Sequence, residues 1–319
     1  MASVAQLEFV TVDVFTSKPY EGNPLGIVRV PHGASVTQEQ KQAIAREFNL
    51  SETTFLHEKG PNAEDEPWTV DIFMTTRELP FAGHPTIGTA CYILGRTVLE
   101  RGIRDGIVDA SFNLKAGLVG LRYDVAKKTA RASIPHNVRI HKKRYTRDEL
   151  FALQPQLADA HQQSTIQARE DYSVVSIVKG MTFALVELES LEALELVTVA
   201  SRSLTITGLD DGWNETFVGT YFFVRTGKSK EGATAVRTRM IEGSLEDPAT
   251  GSAASALAAY LSLTEGKPSE HLKFEIVQGV EMGRRSEIFV EIVLTESRAI
   301  SELYLEGEAV QVMEGRLTI

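Results

Sequence analysis

Two short stretches of this sequence hold the residue types that move protons. Residues 246–261, EDPATGSAASALAAYL, open on Glu246 and Asp247 and pass through a Thr-Gly-Ser turn. They then enter an apolar segment whose only polar groups, from Ala253 to Leu261, are Ser255 and the hydroxyl of Tyr260. Residues 81–94, FAGHPTIGTACYIL, set His84 between Gly83 and Pro85 at the head of a second apolar segment. An imidazole with an ordinary pKa of about 6.5 can take or give a proton at neutral pH, and carboxylates and hydroxyls are its usual partners in acid–base chemistry. Each residue also has a structural reading. Asp247 followed by Pro248 fits a helix cap with a first-turn proline, Ser252 suits a helix start, and a lone His84 fits a hydrogen-bonded structural histidine. Glu52, in NLSETTFLH, reads from its neighbours as an exposed turn glutamate, and composition does not rank it against Glu78 in TTRELPFAGH.

Other chemistries lack their residues. There is no G-x-x-x-x-G-K-[ST] loop, no strand–G-x-G-x-x-G–helix unit and no H-E-x-x-H pair. The seven histidines, at 32, 57, 84, 136, 141, 161 and 271, have no metal-ligand spacing, and Cys91 is the only cysteine. One thiol builds neither a thiolate zinc site nor an intrachain disulfide. No G-x-S-x-G elbow is present. The expectation is a site of carboxylates, imidazole and hydroxyls, with no metal and no cofactor.

The elements that must position these groups show a repeat. With Gly83 set against Gly251, His84 meets Ser252, Ala90 meets Ala258, Tyr92 meets Tyr260 and Ile93 meets Leu261. The separation of 168 residues is close to half the chain of 319, which reads as one old duplication. A helix apolar on every side must be enclosed, and the surroundings offer mainly strands: QLEFVTVDVF, PLGIVRV, WTVDIFM, YSVVSIV, TFALVEL, TYFFVRT, SEIFVEIVL and EAVQVM. The expected fold is therefore α+β, with two pseudo-symmetric lobes. Each is a barrel-like, mostly antiparallel sheet wrapped around a central apolar helix. Residues 1–125 form the first lobe around a helix at 84–95, completed by 302–319; residues 126–301 form the second around a helix at 251–263. Helix N-termini expose unpaired N–H groups and partial positive charge, which suits a bound carboxylate. Gly83 and Gly251 would let backbone approach it closely. Elsewhere, TQEQKQAIAREFN has a capping-box pattern in Thr37 and Gln40 and places Ile44 and Phe48 on one face. TRDELFALQ, with Thr146 at its start, is a second surface helix, and HKKR at 141–144 reads as a solvated connector.

The totals set outer bounds. A chain of 319 residues exceeds what one core usually fills. Its 33 basic and 43 acidic residues give a net charge of −10, which excludes an electrostatic attraction to nucleic acid or an anionic membrane. No apolar run approaches the roughly 20 residues of a bilayer span. MASVAQLEFVTVDVF lacks the basic start and apolar core of a signal peptide, and a single cysteine agrees with a cytoplasmic location.

These motifs together carry a family resemblance. VDVFTSKPYEGNPLGIV, LSETTFL, ELPFAGHPTIGTA, RMIEGSLEDPATGSAA, QGVEMGRRSEI and LYLEGEAVQVMEG follow one another as in the phenazine-biosynthesis PhzF-like proteins, a branch of the diaminopimelate epimerase superfamily, which the chain resembles nearly end to end. The resemblance implies two pseudo-symmetric lobes with the active site between them, and a homodimer. Cysteine-dependent members of the superfamily hold one thiol at the head of each central helix. The matching positions here are Ala82 and Thr250, and Cys91 lies inside the first helix, which disfavours a two-thiol racemase. The resemblance assigns to Glu52 the transfer of a proton between carbons of a cyclic substrate, and to His84, with Gly83 beside it, the part of a substrate-binding and proton-relay partner. It makes Asp247 and Ser252 proton-holding or relaying groups, and Asn23 and Gly251 substrate-positioning ones. For Glu52 a pKa raised toward neutrality is expected from an enclosed apolar cleft. Residues 239–246 are shorter than the usual family segment, so the substrate is expected to differ from the phenazine precursor. The leading expectation is a cofactor-independent isomerase of a small carboxylate-bearing metabolite. The alternatives are a non-thiol epimerase or racemase of an amino-acid-like substrate and a non-catalytic carboxylate-binding or scaffold protein.

Overall fold

The structure, a computed structural model, describes residues 6–319; residues 1–5, the start of the stretch read above as carrying no leader, lie outside it. The chain divides into two compact units, Met1–Ile134 with Leu305–Ile319, and Pro135–Tyr304. Unit 1 contains β1 (Gln6–Val14), β2 (Asn23–Val30), α1 (Gln38–Phe48), β3 (Thr53–His57), β4 (Trp68–Phe73), β5 (Glu78–Leu79), α2 (Gly83–Arg101), β6 (Ile107–Leu114), β7 (Gly117–Asp124) and β8 (Thr129–Ser133). Unit 2 contains β9 (Arg139–Thr146), α3 (Arg147–Phe151), α4 (Pro155–Gln162), β10 (Asp171–Val178), β11 (Met181–Glu187), α5 (Leu191–Glu195), β12 (Phe217–Lys228), β13 (Thr234–Glu242), β14 (Leu245–Asp247), α6 (Gly251–Glu265), β15 (His271–Gln278) and β16 (Ser286–Leu294). The strand β17 (Ile300–Gly307) runs across the division, and β18 (Ala309–Thr318) closes unit 1. The fold is mixed α+β, mostly sheet. Among the described residues no helix is long and apolar enough to cross a membrane.

In unit 1 the strands follow β18–β1–β2 antiparallel, β2–β3 parallel, β3–β4 antiparallel, β4–β6 parallel and β6–β7–β8 antiparallel. The helix α2 lies against β1, β2, β3, β7, β8 and β18, strands drawn from both ends of that succession. Its residues from Gly83 to Cys91 are all buried. Gly88 makes the closest approach possible. A Cβ there would stand 2.5 Å from a methyl of Val14 and 2.7 Å from one of Leu25. The C-terminal segment is tied in by β18 and by the N–H of Phe15, which donates to the carbonyl of Glu308 at 2.7 Å. On the other face α1 begins with the reciprocal Thr37–Gln40 capping box. Its Ile44 and Phe48 pack over Leu7, Val28 and Phe55, with Phe48 edge-on to Phe9 at 5.1 Å.

Unit 2 repeats the plan. Its pairings are β9–β10–β11 antiparallel, β11–β12 parallel, β12–β13 antiparallel, β13–β15 parallel and β15–β16 antiparallel. The helix α6 packs on β10, β11, β15 and β16, and Ala253 to Ala259 are all buried. In both units a crossover helix joins a parallel strand pair, and a two- or three-residue strand leads into the central helix. The register agrees residue for residue. Leu79 pairs with Ile72 and Glu78 with Phe73; Asp247 pairs with Met240 and Glu246 with Ile241. Each of these residues stands 168 positions from its counterpart, the offset that relates Gly83 to Gly251.

One sequence expectation is corrected. HKKR at 141–144 is not a solvated connector but lies within β9, where Arg144 pairs with Ser173 of β10. His141 is buried at 3% exposure, and one of its ring nitrogens bonds Ser176 Oγ at 2.8 Å. The strand is irregular here: Ile140 pairs with Val175 and Arg144 with Ser173, so the register shifts across HKKR, with His141 and Tyr145 buried and Lys142 exposed.

Candidate active site

At the mouth of α2, the site begins one residue before β3. Residue Asn49 ends α1 in a left-handed conformation, and four residues later the chain enters β3 at Thr53, which places Glu52 immediately before the strand. Glu52 Oε2 lies 3.2 Å from His84 Nδ1, with the two side chains 17% and 5% exposed. His84 is the second residue of α2, preceded by Gly83. The residue before α2, Ala82, has no side chain able to cap it, and no acid occupies the first turn. The other ring nitrogen, His84 Nε2, is buried and has no protein partner. Burial alone would raise the Glu52 carboxyl. The hydrogen bond and charge of His84 and a hydrogen bond from Ser51 outweigh it and hold the group below its ordinary value. The expected rise toward neutrality is therefore corrected, because the cleft that buries Glu52 also supplies its imidazole partner.

Asn23, 2% exposed, is the first residue of β2, which runs parallel to β3 with Gly26 opposite Thr53. It therefore starts the strand beside the one that Glu52 immediately precedes. Glu78 is taken up in an ion pair with Lys115 at 2.7 Å, which separates it from Glu52 in role. The thiol of Cys91 is buried, donates to the carbonyl of Gly307, and is pushed up to about 12 chiefly by burial, so it is no base at neutral pH.

At the mouth of α6, Asp247 ends β14 and Thr250, not Asp247, is the residue that precedes the helix. The reading of Asp247 as the helix cap is therefore corrected. Its Oδ2 accepts from Thr250 Oγ1 at 2.5 Å. Gln278, fully buried at the end of β15, donates from Nε2 to the Asp247 carbonyl at 2.7 Å and to Thr250 Oγ1 at 3.0 Å. Its Oε1 accepts from Tyr221 OH at 3.0 Å and from the Thr250 N–H at 3.3 Å. Gly251 is the first residue of α6 and buried; Ser252 is the second and half-buried. The strand leading to this mouth is anchored by Arg239, whose guanidinium pairs with Glu246 at 2.7 Å and donates to the carbonyls of Leu194 and Val197.

Gln278, Thr250 and Tyr221 were missed as a set in the sequence. Thr250 stood out only as the position of a family thiol, and Tyr221 looked like one more aromatic of the strand TYFFVRT. Gln278 had one local signal, the following Gly279 at φ +75°. A Cβ on Gly279 would meet the Pro248 carbonyl at 2.7 Å, so the turn after Gln278 must lie against the Asp247-Pro248 backbone. Among the described residues there is no cluster of three His, Cys, Asp or Glu able to hold a metal ion.

Residues 12–315 match the family of phenazine biosynthesis-like proteins, PhzC-PhzF. A trans-2,3-dihydro-3-hydroxyanthranilate isomerase of Pseudomonas chlororaphis is 32% identical over 318 residues, 98% of each chain. An uncharacterized isomerase of Mesorhizobium japonicum is 30% identical over 322 residues, again 98% of each. Among solved structures, a PhzF-family phenazine biosynthesis protein of Bacillus anthracis superposes with a TM-score of 0.74 at 21% identity, covering 99% of this chain and 100% of the other. A hydroxyproline epimerase of Agrobacterium vitis shares the fold at a TM-score of 0.59 and 13% identity, covering 100% and 94%. By sequence over nearly its whole length and by fold, the chain belongs to the PhzC-PhzF family of phenazine biosynthesis-like proteins.

Proposed function

We propose that this protein is an isomerase that moves a proton between carbons of a small, cyclic, carboxylate-bearing metabolite, with Glu52 taking and returning the proton and no metal or cofactor involved. The observation that carries this reading is the buried Glu52–His84 pair at the uncapped mouth of α2. A carboxylate held below its ordinary pKa is ionised at neutral pH and free to accept a proton. Protonation sets the His84 hydrogen bond against it, so the neutral acid is a strong proton donor that gives the proton up again quickly. In the reaction one carbon–hydrogen bond breaks, its electron pair moves into the adjoining unsaturated system, and a new carbon–hydrogen bond forms at a second carbon. The balance needs no oxidant or second substrate.

His84 Nε2, without a protein partner, is available to a polar group of the substrate. Gly83, Gly251, Ser252 and Asn23 are proposed to hold the substrate, and Asp247 to accept or hold a proton at its polar substituents. The curated relatives named as trans-2,3-dihydro-3-hydroxyanthranilate isomerases support this class of reaction and supply a probe. Incubation of the protein in heavy water with that compound and with a panel of related cyclic carboxylates, followed by proton NMR, is expected to show, for at least one of them, isomerised product carrying solvent deuterium at carbon. Chiral analysis separates an isomerase from an epimerase. Absence of both conversion and deuterium exchange across a panel of cyclic carboxylates would favour a binding protein instead.

A further inference from the structure

The second mouth holds a hydrogen-bond set whose direction is determined by backbone groups. Gln278 lies between the carbonyl of Asp247 and the N–H of Thr250. With the amide reversed, its oxygen would face that carbonyl and its NH₂ would face that N–H, two repulsive contacts in a fully buried position. The orientation with Nε2 toward Asp247 is therefore the only one that satisfies both. In it, Nε2 also donates to Thr250 Oγ1, while Tyr221 OH donates to Oε1. Having accepted from Gln278, the Thr250 hydroxyl directs its proton to Asp247 Oδ2.

We propose that Gln278 is a positioning residue that orients the Thr250 hydroxyl and thereby holds Asp247 as the ionised carboxylate. A carboxylate that receives a committed donor is stabilised in its charged form, since protonation replaces a hydrogen bond to an ionised oxygen by a weaker one to a neutral carbonyl. The duplication supplies independent support. At the matching positions of unit 1, Leu79 stands for Asp247 and Ala82 for Thr250. Strand register likewise matches Leu114 to Gln278 and Thr54 to Tyr221. The shared scaffold therefore folds without the amide, and Asp247, Thr250 and Gln278 occur together where all three counterparts in unit 1 are apolar.

The inference rests on the proposed role of Asp247 only for its effect on turnover, because the ionisation itself is readable without substrate. The test is a carbon-13 NMR titration of the Asp247 carboxyl in the full chain, for wild type, Thr250→Val, Thr250→Ser and Gln278→Met. Thr250→Val is expected to raise the Asp247 midpoint by about one pH unit, Gln278→Met to raise it in the same direction, and Thr250→Ser to restore the wild-type value. A Gln278→Met midpoint equal to wild type, a Thr250→Val midpoint equal to wild type, or no restoration by serine would each overturn the proposal. If Gln278→Met fails to fold, Gln278→Leu takes its place, because the valine and serine pair tests the Thr250 donor and not the amide that orients it. A raised midpoint in a protein with no isomerase activity would support this inference while removing the functional reading.

Discussion

The mouths of α2 and α6 are built on one backbone and carry different chemistry. At the first, a loop residue and a helix residue meet: Glu52, immediately before β3, and His84 from α2. At the second, the acid is Asp247 of the short strand β14, served by Thr250, Gln278 and Tyr221. Strand register makes Gly219 the counterpart of Glu52, and helix alignment makes Ser252 the counterpart of His84. Glu52 of unit 1 stands against a glycine, and Asp247, Thr250 and Gln278 of unit 2 stand against Leu79, Ala82 and Leu114. The scaffold supplies two equivalent helix mouths, and a handful of side chains gives one a carboxylate paired with an imidazole and the other a carboxylate held by a hydroxyl.

The same comparison extends to the carboxylates two positions before each proline. Glu78 and Glu246 are matched residues, but Glu246 and Arg239 are 11% and 8% exposed, whereas Lys115 beside Glu78 is 56% exposed. Breaking the buried pair by Arg239→Met is expected to cost about 3–5 kcal/mol, because it strands an unpaired carboxylate and two carbonyls. Urea denaturation measures it. Lys115→Ala, at the exposed counterpart, is expected to cost roughly 0.2–1 kcal/mol in the same experiment. Equal losses at the two sites would break the comparison.

Packing gives an effect of intermediate size. The counterpart of Gly88 in α6 is Ala256, fully buried. Gly88→Ala is expected to destabilise by about 1–3 kcal/mol, since the new methyl enters space held by Val14 and Leu25. The reverse change, Ala256→Gly, is expected to cost about 1 kcal/mol through helix propensity together with a small cavity. Thermal melts of both variants check the asymmetry.

The smallest predicted effect is electrostatic. Glu52 is held below its ordinary value of 4.5 in the folded protein, so it binds fewer protons there than when unfolded. Its stabilisation is present above about pH 4.5 and fades as pH falls through the lower folded value. Wild type should therefore lose its stability difference from Glu52→Gln on acidification. A difference unchanged by acid would mean that His84 does not hold the carboxylate ionised.

Much of this was legible in the sequence, for identifiable reasons. The repeat showed because an all-round apolar helix is rare and two of them aligned without a gap. The caps at Thr37 and Thr146 were readable because a capping box is a local, four-residue pattern. Glu52 and His84 were named through the family motifs, but their contact joins residues 32 positions apart and no local rule gives it. The lowered pKa of Glu52 was misjudged because burial is visible in composition and a specific partner is not. Gln278 and Tyr221 were hidden for the same reason: each reaches the mouth of α6 from a different strand, and only strand register brings them together.

The claim that the base resides at the first mouth has one direct test. Solvent deuterium incorporation at substrate carbon is measured for wild type and Glu52→Gln under identical conditions, with folding of the variant verified by its melting transition. Loss of a general base typically costs about 10²–10⁴ in rate, and a fall of that order in both exchange and conversion is predicted. Exchange by Glu52→Gln at the wild-type rate would contradict the account.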